Sequence, residues 1–307
     1  RYTARMAQAA NGASLALSNL PVPLLSAFMG GMETAVDVRD PKLQGTRYNG
    51  SGCLIHGLSV VADSLIAVDR LLAERPQDAQ RLLDALRDNF DGADGLRAFL
   101  SAAPKFGNNI DAVDREAAEV AARVSDTVAG LRNYLGNPFR PDWSTPSTHL
   151  LYGYWVGATP DGRKARDMLG YGVDPLYGEA QNGNGLRVLS ARKLPYARFN
   201  GGYASHLGLD PAYFRGATME EKGLEFRRKI MNPLFYSMEA GQVAPFYLYL
   251  NVTTPDMLRA VLKQPKKYAP NGVYIMRIHG TFVNFLDLSP EIQQDIITRL
   301  DLQSTTC

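Results

Sequence analysis

Residues 273–285 read VYIMRIHGTFVNF, and residues 288–299 read LSPEIQQDIITR. The first stretch is a β-prone run of branched and aromatic residues interrupted once, at Gly280. A single glycine in such a run marks a bulge, a turn tip or a close approach of backbone. The second stretch reads as a helix. The predicted order of this end of the chain is therefore strand, glycine loop, strand, helix. Apolar residues on both sides of Gly280 suit a buried, hairpin-like loop.

Working back from this stretch, residues 254–264 read as a helix opened by Thr-x-Pro-Asp, and 242–252 alternates as a strand. Residues 219–232 are helical, and 187–207 mixes short helix with strand. Residues 170–185 are turn and loop, as are 157–165 and 137–146. Between the last two, 148–155 is aromatic and β-prone. The first half is mostly helical. Helices are predicted over 2–20, ended by Pro21 and Pro23, and over 24–32, stopped near Gly30 and Gly31. Others cover 59–74, 78–89, 92–102 and 114–135. In the 59–74 helix Val60, Val61, Leu65, Val68, Leu71 and Leu72 are expected on the buried side. Residues 37–52 are rich in turn dipeptides. With no internal repeat and no evident linker, one α/β unit is the economical reading.

The 307 residues are 45% hydrophobic, enough for a large core. Lys and Arg number 33 against 31 Asp and Glu, a formal charge of +2. Without a basic run, nucleic acid is not a natural partner. No apolar stretch has membrane-spanning length, so no membrane partner is expected. Two cysteines, Cys53 and Cys307, make neither a zinc site nor a disulfide framework, and a reducing cytoplasm fits them. His56, His149 and His206 have no ligand spacing, so no metal is expected. A hydrolase built from His56, Asp63 and Asp69 lacks a convergent third ligand. The chain opens RYTARMAQAANG, with no initiator Met and a helix already under way, as a fragment of a longer chain would.

Arg277-Ile278-His279-Gly280, then Phe285, Leu288-Ser289-Pro290-Glu291 and Gln294-Asp295-Ile296-Ile297 together resemble the C-terminal signature of the glycyl radical enzymes. That family includes pyruvate formate-lyase with its dehydratase, decarboxylase and lyase relatives. Its pattern is Arg-Val-small-Gly-aromatic, an apolar strand, then Leu-Ser-x-Glu-x-Gln and a helix. Further matches follow the family's order. Tyr48-Asn49-Gly50-Ser51-Gly52 and Val61-Ala62-Asp63-Ser64-Leu65 are similar to its Tyr-Asn-x-Ser-Gly and Val-Ala-Asp-Ser-Leu segments. Ala103-Pro104-Lys105-Phe106-Gly107-Asn108-Asn109 with Val113-Asp114 resembles Ala-Pro-Lys-aromatic-Gly-Asn-Asp…Val-Asp. Thr159-Pro160-Asp161-Gly162-Arg163 resembles its Pro-Asp-Gly-Arg loop, and Asp174-Pro175 with Gly178 its Ser-Pro-x-x-Gly. Each alone is weak; their order over nearly the whole chain is what is specific.

The resemblance implies an α/β fold, the second half of a ten-stranded barrel built from two five-stranded half-barrels and wrapped by helices. Residues 1–165 would be the mostly helical C-terminal half of the pyruvate formate-lyase-like barrel domain. Residues 166–307 would be the glycyl radical domain, with its radical loop near 277–285. Gly280 would be the catalytic residue, storing an unpaired electron on its α-carbon. Planarity there lets the amide nitrogen and carbonyl share the electron, and only glycine tolerates such backbone freedom cheaply. The site would also need shelter from water and oxygen.

Tyr48, Asn49 and Ser51 would lie near the pocket or line the barrel, with buried hydrogen-bonding duty ahead of substrate contact. Asn108, Asp161 and Arg163 would be structural loop residues, with Asn109 and Asp114 satisfying loop backbone or capping a helix. No cofactor would be bound. S-adenosylmethionine and an iron–sulfur cluster belong to the radical activating enzyme, the implied partner. The other implied partners are the missing upstream half, a second copy in a homodimer and a small-molecule substrate.

Two departures bear on activity. The family's catalytic cysteine stands in Gly-Cys-x-Glu; Cys53 follows Gly52 but lacks the glutamate and aligns with an apolar position. It is expected to pack as a small hydrophobe, the true cysteine lying upstream. His279 and Thr281 replace a small residue and an aromatic, in the peptide the activating enzyme reads. Two alternatives stay open: a degenerate relative, or a spare-part subunit lending its radical to a partner chain. An anaerobic ribonucleotide reductase shares the radical glycine but has a cysteine-rich metal site near its end, which two cysteines cannot supply.

Overall fold

The computed structural model describes residues 1–40, 50–144, 148–209, 211–236, 248–278 and 281–302. Tyr48, Asn49, His279, Gly280 and Cys307 lie outside the described residues, as does the Thr281 side chain. In chain order come α1 (Tyr2–Leu17), β1 (Ser51–Leu54), α2 (Leu58–Glu74), α3 (Ala79–Arg87), α4 (Asp94–Ser101) and α5 (Asp111–Ala129). They are followed by β2 (Phe139–Trp143), α6 (Thr148–Trp155), α7 (Asn184–Arg192), β3 (Gly202–Tyr203), β4 (Ser205–Leu209) and α8 (Met219–Phe226). The chain closes with β5 (Leu248–Val252), α9 (Pro255–Lys263), β6 (Ile275–Ile278), β7 (Thr281–Asn284) and α10 (Pro290–Leu302).

Two compact units interleave along the chain. The first holds Arg1–Leu54, Ala122–Asp142 and Arg198–Gly202; the second holds the rest. In the first unit β1 pairs with β2 in parallel, Ser51 opposite Phe139 through Leu54 opposite Asp142. The Asn11 side chain ties α1 to the Arg132 carbonyl at 2.9 Å.

The second unit buries most of the core. Ala67 and Leu71 of α2 pack with Leu82 and Ala85 of α3, Leu96, Phe99 and Leu100 of α4, and Phe90, Ala93 and Ala103 beside them. The guanidinium groups of Arg70 and Arg75 lie 4.4 and 4.2 Å from the Phe99 ring centroid, closing this cluster with cation–π contacts. Farther along, β4 pairs in parallel with β5. Then β6 pairs antiparallel with β7, Ile275 opposite Asn284 through Ile278 opposite Thr281. Leu258 and Val261 of α9, Met276 of β6, Phe285, and Ile296, Ile297 and Leu300 of α10 form one buried cluster.

Several expectations change. The 59–74 helix forms as α2, but Val61, Leu65 and Leu72 are exposed by 44, 39 and 50%. They make a stripe next to the buried one, which runs through Val60, Asp63, Ala67 and Leu71. Residues 137–146 hold strand β2, disguised by Pro141, since proline inside a run argues against a strand. Residues 148–155 are helix α6 rather than strand; aromatic β-propensity is weak and yields to context. Helix α5 stops at Ala129, before Gly130, instead of reaching residue 135. At 24–32 the helix is broken at Met29 and Gly30, the latter at φ +96°. Among the described residues no helix is long and apolar enough to cross a membrane.

Candidate functional site

The strands flanking positions 279 and 280 are held by a set of amide side chains. The Asn284 side chain accepts from Tyr274 N–H at 2.9 Å and donates to the Gly272 carbonyl at 3.0 Å, fixing the outer end of the β6–β7 pair. Phe285 N–H donates to the Tyr274 carbonyl at 2.8 Å. Gln293 of α10 donates to the Phe285 carbonyl at 2.9 Å, tying the following helix back to the strand exit. On the other side, Asn251 of β5 donates to the Arg277 carbonyl at 2.9 Å and accepts from its N–H at 3.2 Å. Phe285 is fully buried, which stabilises this corner by roughly 2–3 kcal/mol. The pair is one-sided in this chain. Met276 is buried, while Ile275 and Phe282 are exposed, the latter under the Arg277 guanidinium at 5.6 Å from its ring centroid. The expectation of a buried loop falls on positions 279 and 280, which lie outside the described residues.

Helix α10 also carries Asp295, whose Oδ2 lies 3.8 Å from His149 Nε2 of α6, both side chains being almost fully buried. His149 further stacks edge-on against Tyr171 and Tyr177. Sequence spacing linked neither residue to the other; a contact between residues so far apart leaves no local signal.

Three segments distant in sequence meet elsewhere in the second unit. Asp63 Oδ1 accepts the Phe106 N–H at 2.7 Å. Ser64 Oγ accepts the Asp161 N–H at 3.3 Å. Lys105 Nζ, itself buried, donates to the Asp161 carbonyl at 2.9 Å. The 157–165 loop is organised on Arg163, whose guanidinium donates to the carbonyls of Lys164 at 2.9 Å and Asp167 at 2.6 Å, and to Gly157 and Val156. Asp161 caps the same turn, accepting from the Thr159 hydroxyl at 2.5 Å. Gly162, at φ +94°, has no room for a side chain: a Cβ would sit 1.9 Å from Ser101 Oγ. Asn108 pins a second loop, donating to the Glu179 carbonyl at 2.7 Å and accepting from the N–H groups of Gln181 and Asn182 at 2.9 and 3.1 Å. It also donates to the Lys105 carbonyl at 3.1 Å. Asn108 and Arg163 thus act on loop backbone, with one side-chain contact added, from Arg163 to the Thr159 hydroxyl at 3.2 Å.

Burial pushes the Asp63 carboxyl well above the ordinary carboxylate range, against the pull of the Phe106 N–H and Lys105. Asp161 and Glu179 raise it further. Among the described residues its Oδ2 is buried without a hydrogen-bond partner, as a protonated carboxyl tolerates better than a carboxylate. A group whose folded value is raised stabilises the fold fully below its unfolded value, near about 4, and loses that contribution as pH rises toward the folded value. Asp63→Asn removes the loss. Its stability relative to the parent should therefore climb from pH 5 to 8, by at most about 1.4 kcal/mol per pH unit. Urea unfolding of both proteins across that range is the check, and a pH-independent difference would refute it.

In the first unit Ser51 Oγ accepts from Asn133 Nδ2 at 3.1 Å. Cys53 is half-buried rather than enclosed, a free thiol whose pKa burial raises, with the Asp142 carboxylate adding to the effect. A raised thiol pKa works against nucleophilic use. Among the described residues no group of three or more His, Cys, Asp or Glu is placed to hold a metal ion.

Comparison with known proteins gives concordant results. Residues 2–153 match the family described as pyruvate formate lyase-like. The probable dehydratase YbiW of Escherichia coli (strain K12) is 30% identical over 270 residues, covering 85% of this chain and 32% of that protein. Formate acetyltransferase 1 of the same strain is 31% identical over 256 residues, covering 82% of this chain and 31% of that protein. The crystal structure of a glycyl radical enzyme from Archaeoglobus fulgidus superposes with a TM-score of 0.81 at 27% identity, covering 96% of this chain and 36% of that one. The chain thus spans about a third of the length of the curated relatives it matches. Together these matches support the glycyl radical enzyme family, these two relatives being named a probable dehydratase and a formate acetyltransferase.

Proposed function

We propose that this chain is the C-terminal part of a glycyl radical enzyme, with Gly280 as the radical residue. The observation that carries the reading is the 273–285 stretch. Its radical-signature residues fold into an antiparallel pair whose inner register, Ile278 opposite Thr281, flanks positions 279 and 280. That pair is anchored at both ends by side chains of β5 and α10. In this reading a radical S-adenosylmethionine enzyme removes one hydrogen atom from the Gly280 α-carbon. The upstream cysteine, in sequence outside this chain, then gives its thiol hydrogen to that carbon and becomes the thiyl that attacks a small substrate. The contribution of the barrel is positioning and exclusion of water. The relatives' names, a dehydratase and an acetyltransferase, leave the bond broken open between C–O and C–C chemistry.

The exposed face of the β6–β7 pair, with Ile275 and Phe282, is where the upstream part would close over Gly280. Residues 166–307 remain the proposed radical domain, and Asn108, Asp161 and Arg163 its neighbours' loop anchors. Tyr48, Asn49 and Ser51 are proposed near the pocket. A cytoplasmic homodimer is the form we propose.

A second reading is favoured by His279 and Thr281, which replace the family's small and aromatic residues: a chain no longer recognised by the activating enzyme. Anaerobic incubation with a competent activating enzyme tests both. An organic radical in the parent chain supports the first reading. A radical only after His279→Ala with Thr281→Tyr supports the second. No radical in either rejects Gly280 as a radical site.

Cys53 has no catalytic part in this reading. In the assembled enzyme Cys53→Ala is expected to keep most turnover and lose about 1 kcal/mol of stability, in line with a half-buried small side chain. Steady-state rates and urea melts check this, and loss of turnover with a normal melt would return Cys53 to the active site.

A further inference from the structure

We infer that Asn251 is a positioning residue for the 273–285 hairpin, fixing the open edge of β6 at Arg277. The inference rests on the radical reading only for its catalytic consequence. Among the described residues, β4–β5 and β6–β7 are separate strand pairs, with no backbone ladder joining β5 to β6. In an antiparallel pair each strand's backbone groups point alternately at the partner and at the open edge. Arg277 stands opposite Phe282, next to the inner pair Ile278–Thr281. Its N–H and carbonyl both point away from β7, and both end on the Asn251 side chain, at 3.2 and 2.9 Å.

A primary amide carries a donor and an acceptor side by side, so one side chain can complete both edge groups of one residue, as a facing strand would. Asparagine more often satisfies backbone near itself in sequence. In this chain the partner lies 26 residues away, and both bonds reach the same residue. A second contact, Thr253 Oγ1 to the Tyr274 hydroxyl at 3.1 Å, runs beside it in the antiparallel sense. Together they set the register of β6 against β5. A one-residue slip of β6 along β5 would bring Met276 or Ile278, whose backbone groups face β7, beside Asn251 and break both amide bonds, because the next edge-facing residues are two positions away. Arg277 is three residues before Gly280, so this clamp sets where the strand enters the proposed radical position.

The test uses the full chain with Asn251→Ala and Asn251→Asp. The aspartate keeps the size and the acceptor but turns a second oxygen, rather than a donor, toward the Arg277 carbonyl. Amide hydrogen exchange read by peptide mass should show protection of 275–284 falling about tenfold in both variants, with α2 to α4 unchanged. Radical yield after anaerobic activation should fall with it. If Asn251→Asp retains the parent's protection, Asn251 merely fills space and the inference is overturned, as it is if neither variant changes. Lost protection with undiminished radical yield overturns the positioning role. Lost protection where neither the parent nor the His279→Ala, Thr281→Tyr chain gives a radical keeps the clamp and rejects the Gly280 reading instead.

Discussion

Activated without oxygen and then exposed to air, the chain is expected to split at Gly280, releasing a peptide that begins near Thr281. Gly280→Ala is expected to stay whole under the same treatment, a complete loss of the cleavage product. The physical basis is that an α-carbon radical is stabilised by planarity, which lets nitrogen and carbonyl share the electron. Oxygen adds at that carbon, and the backbone breaks beside it. A methyl group hinders planarity, so alanine removes the radical while the β6–β7 pair, held through Asn284, Gln293 and Asn251, should keep its fold. Mass spectrometry of the fragments reads the position directly. Cleavage at another residue, or equal cleavage of Gly280→Ala, would assign the radical elsewhere. If only the chain carrying His279→Ala and Thr281→Tyr is cleaved, the site is intact and its recognition has been lost.

The second large effect is a dependence on another polypeptide. The chain alone is expected to turn over no substrate, because no Gly-Cys-x-Glu occurs in its sequence and it spans about a third of its relatives. Supplied with the upstream two-thirds of a glycyl radical dehydratase, it should gain turnover that disappears when that part's cysteine is changed to alanine. The surface agrees with a need for cover: Phe28 and Met32 are each 82% exposed, and Trp155 is 74% exposed. Apolar surface of this kind favours association, so sedimentation should show the isolated chain self-associating. Turnover by the isolated chain, abolished by changing Cys53, would overturn both the missing-part reading and the structural role given to Cys53.

The helices were legible wherever glycine and proline punctuated an apolar period. Pro76 after α2 and Thr254 before α9 mark boundaries in the sequence, and the structure places helix ends beside them; Thr254 Oγ1 accepts the Met257 N–H at 3.1 Å. Strand β2 was hidden because Pro141 and its charged neighbours erase the alternation that burial then reveals. In α2 the period was right but the arc too wide: Val60 and Leu71 are buried and Val68 packs beside them, while Val61, Leu65 and Leu72 face outward.

Over 273–302 the order strand, strand, helix was legible. What anchors it was not. Asn251 falls near the end of a predicted strand, and its partner is 26 residues away. His149 and Asp295 are brought within 3.8 Å only by the folded chain. Asn108 could be read as a loop-satisfying residue from its neighbours, but the 179–182 backbone it holds could not. Local chemistry writes itself into sequence; pairings across the fold do not.

The most direct test of Gly280 is electron paramagnetic resonance of the anaerobically activated chain, grown once with ordinary glycine and once with glycine deuterated at the α-carbon. A glycyl radical keeps one α-hydrogen, so the ordinary sample should give a doublet. Deuterium has a much smaller magnetic moment, so the labelled sample should collapse to a single narrow line, and Gly280→Ala should give neither. A splitting that survives deuteration, or no signal from the parent and the His279→Ala, Thr281→Tyr chain with an activator proven on its own substrate, would contradict a radical at Gly280.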